Sequence, residues 1–174
     1  MKQPSRYMRK YVREKPKSIY IFSLLLLFFS VIIFYPKSLL ILLAVTILGL
    51  LSAFIQKPKI QKHYENLLSS RSSLSICEFS CEFNCHEIDT WVIRATYEQV
   101  QGALWFKEKI PIKVSDRLKE DLLLDDDVLD LDLAEQISQR TGRTLKNCGS
   151  NPYFGKVKTV KDLVLFFNYQ EKLT

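Results

Sequence analysis

Two long apolar stretches dominate the hydropathy pattern of this chain. Residues 18–55 carry a single charge, Lys37, and divide into stretches of 17 residues each, 19–35 and 39–55. Each stretch is close to the shortest helix that crosses a bilayer. Pro36 interrupts a continuous helix between them. The pattern predicts a two-helix transmembrane hairpin, because it is too long for a cleaved signal peptide and has no polar face for a soluble hairpin.

Basic residues lie on both sides of the predicted hairpin. The N-terminal segment 1–17 contains seven Lys/Arg, and three lysines open the segment 56–74, which we interpret as a basic juxtamembrane linker. The turn of the hairpin has only Lys37. By the positive-inside rule both ends of the chain face the cytoplasm. We therefore expect a multi-pass protein with two spans, in a bacterial inner membrane, whose partners include the lipid bilayer.

The remainder, 75–174, is long enough for one hydrophobic core, and its periodicity predicts a mainly α domain. Three helices are predicted: one at 91–106, one from Val128 to Gly142 with aspartates at its start, and one opened by Thr159 as N-cap. Residues 75–85 are ambiguous, because their apolar residues fit both a strand face and a helical stripe. A strand or extended arm is favoured there, since Phe and Cys are mediocre helix formers.

The net charge of +6 hides a division between the two parts of the chain. Residues 1–71 contain 12 Lys/Arg and 2 Asp/Glu, whereas residues 72–174 contain 13 and 17. The basic residues thus flank the apolar stretches and do not form a patch on the domain. A membrane surface explains this arrangement better than nucleic acid, which we exclude as a partner.

Residues 115–145 and 157–167 together resemble the acyl carrier protein family. The match in the first segment lies at Leu118, Glu120, Asp121, Leu122 and Asp125, and the match in the second lies at Thr159, Val160, Asp162 and Leu163. The resemblance implies a small helical bundle over roughly 91–170. It also places Asp126 where the family attaches phosphopantetheine to a serine. A carboxylate cannot form that phosphodiester, so the resemblance implies a carrier-like domain without the cofactor.

The aspartate-rich stretch from Glu120 to Glu135 is the strongest candidate site. It does not fit a calcium loop, because the central glycine is missing and leucines occupy ligand positions. One aspartate can cap a helix, but capping leaves most of the cluster unexplained. An acidic helix face that meets a basic protein partner is the functional interpretation. The docking residues predicted are Asp126, Asp127, Asp130, Asp132 and Glu135.

A second candidate is the cysteine cluster in "CEFSCEFNCHE". Metal ligands are available at Cys77, Cys81, Cys85 and His86, but their steps of four, four and one differ from common zinc signatures. Buried structural thiols are the favoured alternative. Neither histidine has a neighbour that suggests a nucleophile and base, and no glycine-rich phosphate loop is present.

These observations predict a membrane-anchored binding or regulatory module that is not an enzyme and needs no cofactor. Two alternatives stay open: a cysteine-based metal or redox sensor, and a small membrane immunity protein in which the hairpin itself meets the partner.

Overall fold

The computed structural model describes residues 4–13, 20, 22–23, 25–26, 28–30, 38–71, 74–104 and 106–173. The described part of the chain is mainly helical and contains no strand, which confirms the mainly α fold class. Two compact units are present: Met1–Tyr11 together with Asn66–Thr174, called the globular unit below, and Val12–Glu65.

The longest element is helix α1, Ser38–Ser70. From Leu40 to Ile55 its large hydrophobic side chains are exposed, and a window of 18 residues within Leu40–Ser70 reaches a mean hydropathy of 2.1 with none of it buried. Among the described residues this is the one helix long and apolar enough to cross a membrane. A core helix of a soluble protein would bury its apolar side chains. The second predicted stretch, 39–55, therefore lies in a helix with the properties of a membrane span.

The hairpin itself is not confirmed. Residues of the first apolar stretch are described only at 20, 22–23, 25–26 and 28–30, where they are helical and exposed. The rest of that stretch and Pro36 lie outside the described residues. Residues 56–70, interpreted from sequence as a linker, are instead the second half of α1, which continues through Pro58. Their Gln, Lys, Glu and Leu residues favour helix, and Gln61 donates to Glu65 one turn on at 2.9 Å.

In its described residues the globular unit contains four short α-helices around one core, together with 3-10 turns at Ser5–Tyr7 and Cys148–Ser150. The four α-helices are α2 (Ile76–Cys81), α3 (Thr90–Ala103), α4 (Ala134–Thr141) and α5 (Val160–Tyr169). A π-helical turn, Val128–Leu133, leads directly into α4. Helix α3 is central, since it packs against the other three helices and the π-helical turn. The acyl-carrier-like bundle implied by the resemblance stays a prediction.

Core side chains come from helices and from the long connection between α3 and the π-helical turn. Ile137 of α4 and Phe167 of α5 are fully buried, as are Ile110 and Leu122 of the connection. Burial of such a side chain contributes about 1.5–3 kcal/mol. The connection is therefore part of the core and not a solvated loop.

Two predicted helix ends are confirmed by local hydrogen bonds. Thr159 caps α5, and its side chain exchanges hydrogen bonds with Asp162 in a capping box. Gly142 ends α4 in the left-handed conformation at φ 66°, as expected for a residue just after a helix.

The favoured strand or extended arm at 75–85 is wrong, because residues 76–81 form helix α2. Ser75 accepts a hydrogen bond from the Glu78 backbone N–H, and Glu78 accepts one from the Ser75 N–H at 2.6 Å. This capping box outweighs the weak helix propensity of Phe and Cys. Phe79 then packs its ring 5.0 Å from that of Tyr97 on α3, measured between centroids.

The N-terminal arm, residues 4–11, belongs to the globular unit. Its turn Ser5–Tyr7 packs against α3, and Met8 is buried. Arg94 of α3 donates to the Ser5 hydroxyl at 3.2 Å, and Arg140 of α4 donates to the Arg9 carbonyl at 3.2 Å. The sequence predicted a basic tail here, and its packing was not expected.

Candidate docking surface

A hydrogen-bonded loop, residues 117–124, presents the aspartate-rich stretch. The amides of Asp121 and Leu122 donate to the Arg117 carbonyl, and the amide of Leu124 donates to the Leu118 carbonyl at 2.9 Å. Leu118, Leu122 and Leu124 are buried. These buried leucines anchor the stretch to the core. Their role explains why the stretch combines many apolar residues with many charged ones.

Leu123 is the exception among these leucines. Its side chain is 40% exposed, and its backbone adopts the left-handed conformation at φ 54°. That conformation costs roughly 1–2 kcal/mol for a residue with a β-carbon. It lets Leu122 and Leu124 both point inward, so the loop holds one strained leucine on its outer surface.

Leu123 lies within an acidic segment, defined as residues 120–135, which contains eight Asp/Glu and no Lys/Arg. Of the predicted docking residues, Asp126, Asp127, Asp132 and Glu135 are exposed. The side chain of Asp130 lies outside the described residues. The structure therefore brings four of the five predicted residues to the surface of one continuous segment.

Local contacts leave the acidic segment largely open to a partner. Asp127 precedes the π-helical turn and makes no side-chain capping hydrogen bond there, so the capping explanation does not apply to it. Asp126 forms an ion pair with Lys119, Oδ2 to Nζ, at 2.7 Å. Both partners are more than half exposed, and such pairs contribute little to stability.

The start of the second predicted helix differs from a regular α-helix. Val128–Leu133 is π-helical, and the Ala134 N–H donates to the Leu129 carbonyl five residues earlier. Single π-turns are rare and occur often at functional sites. The apolar periodicity that placed a helix here does not distinguish the two forms.

One carboxylate of the segment has an altered proton affinity. The backbone N–H of Arg117 donates to Asp121 Oδ2 at 2.9 Å and is the largest cause of a lowered pKa for Asp121. The guanidinium of Arg117 adds a weaker attraction, which in turn raises the pKa of Arg117. Asp121 is therefore held in its charged form at the base of the acidic segment.

The candidate metal ligands are all at the surface. Cys77, Cys81, Cys85 and His86 are exposed, so the expectation of buried structural thiols is wrong for these three cysteines. Within the described ranges, no three His, Cys, Asp or Glu side chains lie close enough together to hold a metal ion. The sulfur of Cys85 instead lies 3.9 Å from the Ser80 carbonyl oxygen.

A shallow cleft of about 570 Å³ lies between α2 and the start of α5. Its floor includes Phe79 and Ile112, and its rim carries Glu78, Lys113 and Lys161. Sequence patterns gave no sign of this cleft, because its lining comes from three separate parts of the chain. Comparisons with protein-family models, curated proteins and solved structures found no match to this chain.

Proposed function

We propose that this chain is a membrane-anchored, non-catalytic binding module whose acidic segment docks a protein partner with a basic surface. The observation that carries the proposal is the acidic segment itself. Four predicted docking carboxylates are exposed on a stretch that four buried leucines, at 118, 122, 124 and 133, fix to the core. A rigid, single-sign surface steers an oppositely charged partner and excludes wrong ones.

Anchoring by two membrane spans is part of the proposal. The exposed apolar half of α1 supports one span. The packed N-terminal arm supports the second, because residues 4–11 and 66–173 belong to one folded unit on either side of the apolar stretches. A segment whose two ends lie in the same folded unit crosses a membrane an even number of times. The basic flanks favour the cytoplasmic side for that unit.

Topology can be tested with the native thiols. Cys77, Cys81 and Cys85 are exposed and so report which side of the membrane the globular unit occupies. A membrane-impermeant maleimide should leave them unlabelled in intact cells and label them after permeabilisation. Labelling in intact cells would contradict the proposed orientation.

The resemblance to acyl carrier proteins also enters as a proposal. Asp126 opens the helical segment that leads into α4, which supports its alignment with the carrier serine. The module would then retain the acidic docking face of a carrier without the prosthetic group. Intact-mass measurement after co-expression with a phosphopantetheinyl transferase should show no added mass, and a gain of one prosthetic group would overturn this part.

Docking can be tested with a photo-cross-linking amino acid placed at single exposed positions in cells. At Asp132, within the acidic segment, it should form an adduct with a basic partner. Glu108 is also exposed but lies outside the segment, so the same amino acid at Glu108 should form no adduct with that partner. Equal adducts at both positions, or none at Asp132, would count against the docking proposal.

Exposure of the three cysteines favours a second candidate, thiol-based metal or redox sensing. Cys77 and Cys81 are one helical turn apart on α2, and Cys85 follows within four residues. Elemental analysis of the purified protein distinguishes this candidate. A stoichiometric metal that is lost on Cys→Ser substitution would favour it, and a metal-free protein would remove its metal branch.

A further inference from the structure

The globular unit carries its acidic and basic residues in different segments of the chain. The acidic segment has eight Asp/Glu and no Lys/Arg, whereas residues 143–173 have six Lys/Arg and two Asp/Glu. In that second region Lys146, Lys156, Lys158, Lys161 and Lys172 are exposed. The overall negative charge of the domain hides this separation, which the sequence totals for each half of the chain did not reveal.

The same region exposes large apolar side chains. Phe154 is 57% exposed, and Tyr169 and Leu173 are each 61% exposed. The rings of Tyr153 and Tyr169 lie 5.7 Å apart between centroids, which joins the 153–154 loop to the end of α5. Exposed aromatic residues beside lysines are typical of surfaces that meet lipid headgroups.

The C-terminal tail is fixed to this surface by backbone hydrogen bonds. The Thr144 amide donates to the Glu171 carbonyl at 2.9 Å, and the Leu173 amide donates to the Gly142 carbonyl at 2.7 Å. Leu173 is therefore held in place with its side chain outward.

The N-terminal arm lies close to Gly142, where the C-terminal tail is bound. A β-carbon on Gly142 would lie 4.0 Å from the Arg9 guanidinium, and the Gly142 carbonyl is the one that accepts the Leu173 amide. Arg9 and Lys10 are exposed and add two positive charges. The first apolar stretch begins ten residues after Arg9, which an extended chain covers in at most about 35 Å. The arm is thus close in sequence to the start of the predicted membrane anchor.

We propose that these residues form a lipid-contacting face, defined as Arg9, Lys10, Phe154, Lys156, Tyr169 and Leu173, which rests on anionic headgroups of the bilayer. Each Lys or Arg near such a surface contributes about 1 kcal/mol of attraction. Anionic headgroups repel the acidic segment, so the bilayer does not compete with a basic partner for its carboxylates. The inference rests on the proposed membrane anchoring and adds a second contact between the globular unit and the bilayer.

The test uses the full chain in nanodiscs that contain a photoactivatable phosphatidylglycerol, with lipid adducts mapped by mass spectrometry. Adducts in the globular unit should concentrate at 153–156 and 169–173, with none in the acidic segment. The charge-reversed variant Lys10→Glu/Lys156→Glu, with both changes in the face, should lose most of them. The control Lys107→Glu/Lys109→Glu makes the same charge change at exposed positions elsewhere and should keep them.

Two failures are distinguishable in this experiment. Adducts along 39–55 report anchoring by the apolar part of α1 independently of the face. If those adducts are absent, the anchoring proposal fails and this inference fails with it. If they are present while the globular unit shows no adducts, the same number in both variants, or adducts in the acidic segment, only the lipid-contacting face is overturned.

Discussion

Arg71 and Asp116 form a buried, bidentate ion pair. The Nη1 and Nη2 groups of Arg71 donate to the two carboxylate oxygens of Asp116 at 2.7 and 2.8 Å, and both residues are less than 10% exposed. Arg71 also donates to the Pro111 carbonyl, and Asp116 accepts from the Lys113 amide. Arg71 directly follows α1, so the pair joins the end of that helix to the connection that forms part of the core.

Removing one member of this pair should destabilise the globular unit strongly. Asp116→Ala leaves a buried guanidinium without its counter-charge, and losses of about 3–5 kcal/mol are typical of such changes. The double variant Arg71→Met/Asp116→Leu removes both charges and should recover part of the loss. Urea unfolding of the full chain in detergent, followed by tryptophan fluorescence, measures both. Arg117→Met, at an exposed pair, is the control and should shift the midpoint little. An equally small shift for Asp116→Ala would contradict the role assigned to the buried pair.

Docking of the N-terminal arm should depend on Met8. Its side chain is buried, whereas that of the neighbouring Tyr7 is 62% exposed. Met8→Asp places a carboxylate in an apolar site, which is unfavourable without a partner, so the arm should detach. Limited trypsin digestion should then cleave after Arg6 and Arg9 faster than in the wild type. Tyr7→Asp makes the same change at the exposed position and should leave the cleavage rate unaltered. Equal rates for the two variants would show that Met8 does not hold the arm.

Asp121 should titrate below the ordinary aspartate value of 3.8, because the Arg117 amide and guanidinium favour its charged form. A folded-state pKa below the unfolded one contributes stability that is present above the unfolded pKa. That contribution is lost as the pH falls through the folded pKa. NMR titration of the carboxyl carbon measures the shift directly. A midpoint at or above 3.8 would contradict the hydrogen bond at Asp121.

Leu123→Gly removes the exposed side chain of Leu123 and also relieves the strain of its left-handed backbone conformation, and two measurements distinguish these effects. Glycine adopts positive φ without steric cost, so the variant should be as stable as the wild type or more stable. If Leu123 supplies an apolar contact to the partner within the acidic segment, partner adducts at Asp132 should nevertheless decrease. An unchanged number of adducts would show that Leu123 makes no contact with the partner and that docking depends on the charged residues. Thermal unfolding of the same preparations supplies the stability measurement.

Much of the local structure was predictable where several signals agreed. The helix from Val160 has an N-cap, a capping partner and an apolar face in one short stretch, and its limits match the expectation closely. Gly142 likewise marked the end of α4. At residues 75–85 the alternation of apolar residues competed with the Ser75–Glu78 capping box, and the capping box decided the structure. A capping-box pattern directly before a short apolar stretch therefore indicates a helix more strongly than two-residue alternation indicates a strand.

The surface features depended on contacts between distant parts of the chain. Exposure of the acidic segment was predictable from its charge. The burial of Met8 of the N-terminal arm and the pairing of Arg71 with Asp116 were not predictable, because no local sequence signal marks these contacts. The burial of the cysteines was predicted wrongly for a related reason: Phe79 and Phe83 fill the apolar side of the α2 region and leave the thiols outside.

The central claim is that the acidic segment captures a basic partner, and charge reversal tests it most directly. Full-length wild type, Asp126→Lys/Asp132→Lys/Glu135→Lys and the control Glu82→Lys/Glu87→Lys/Glu108→Lys should be used in parallel pull-downs with the partner identified by cross-linking. All six positions are exposed, so the two variants carry equal charge changes on the surface. The account predicts that the first variant loses the partner while the control retains it. Capture that is unchanged in the first variant, or reduced equally in both, would contradict it.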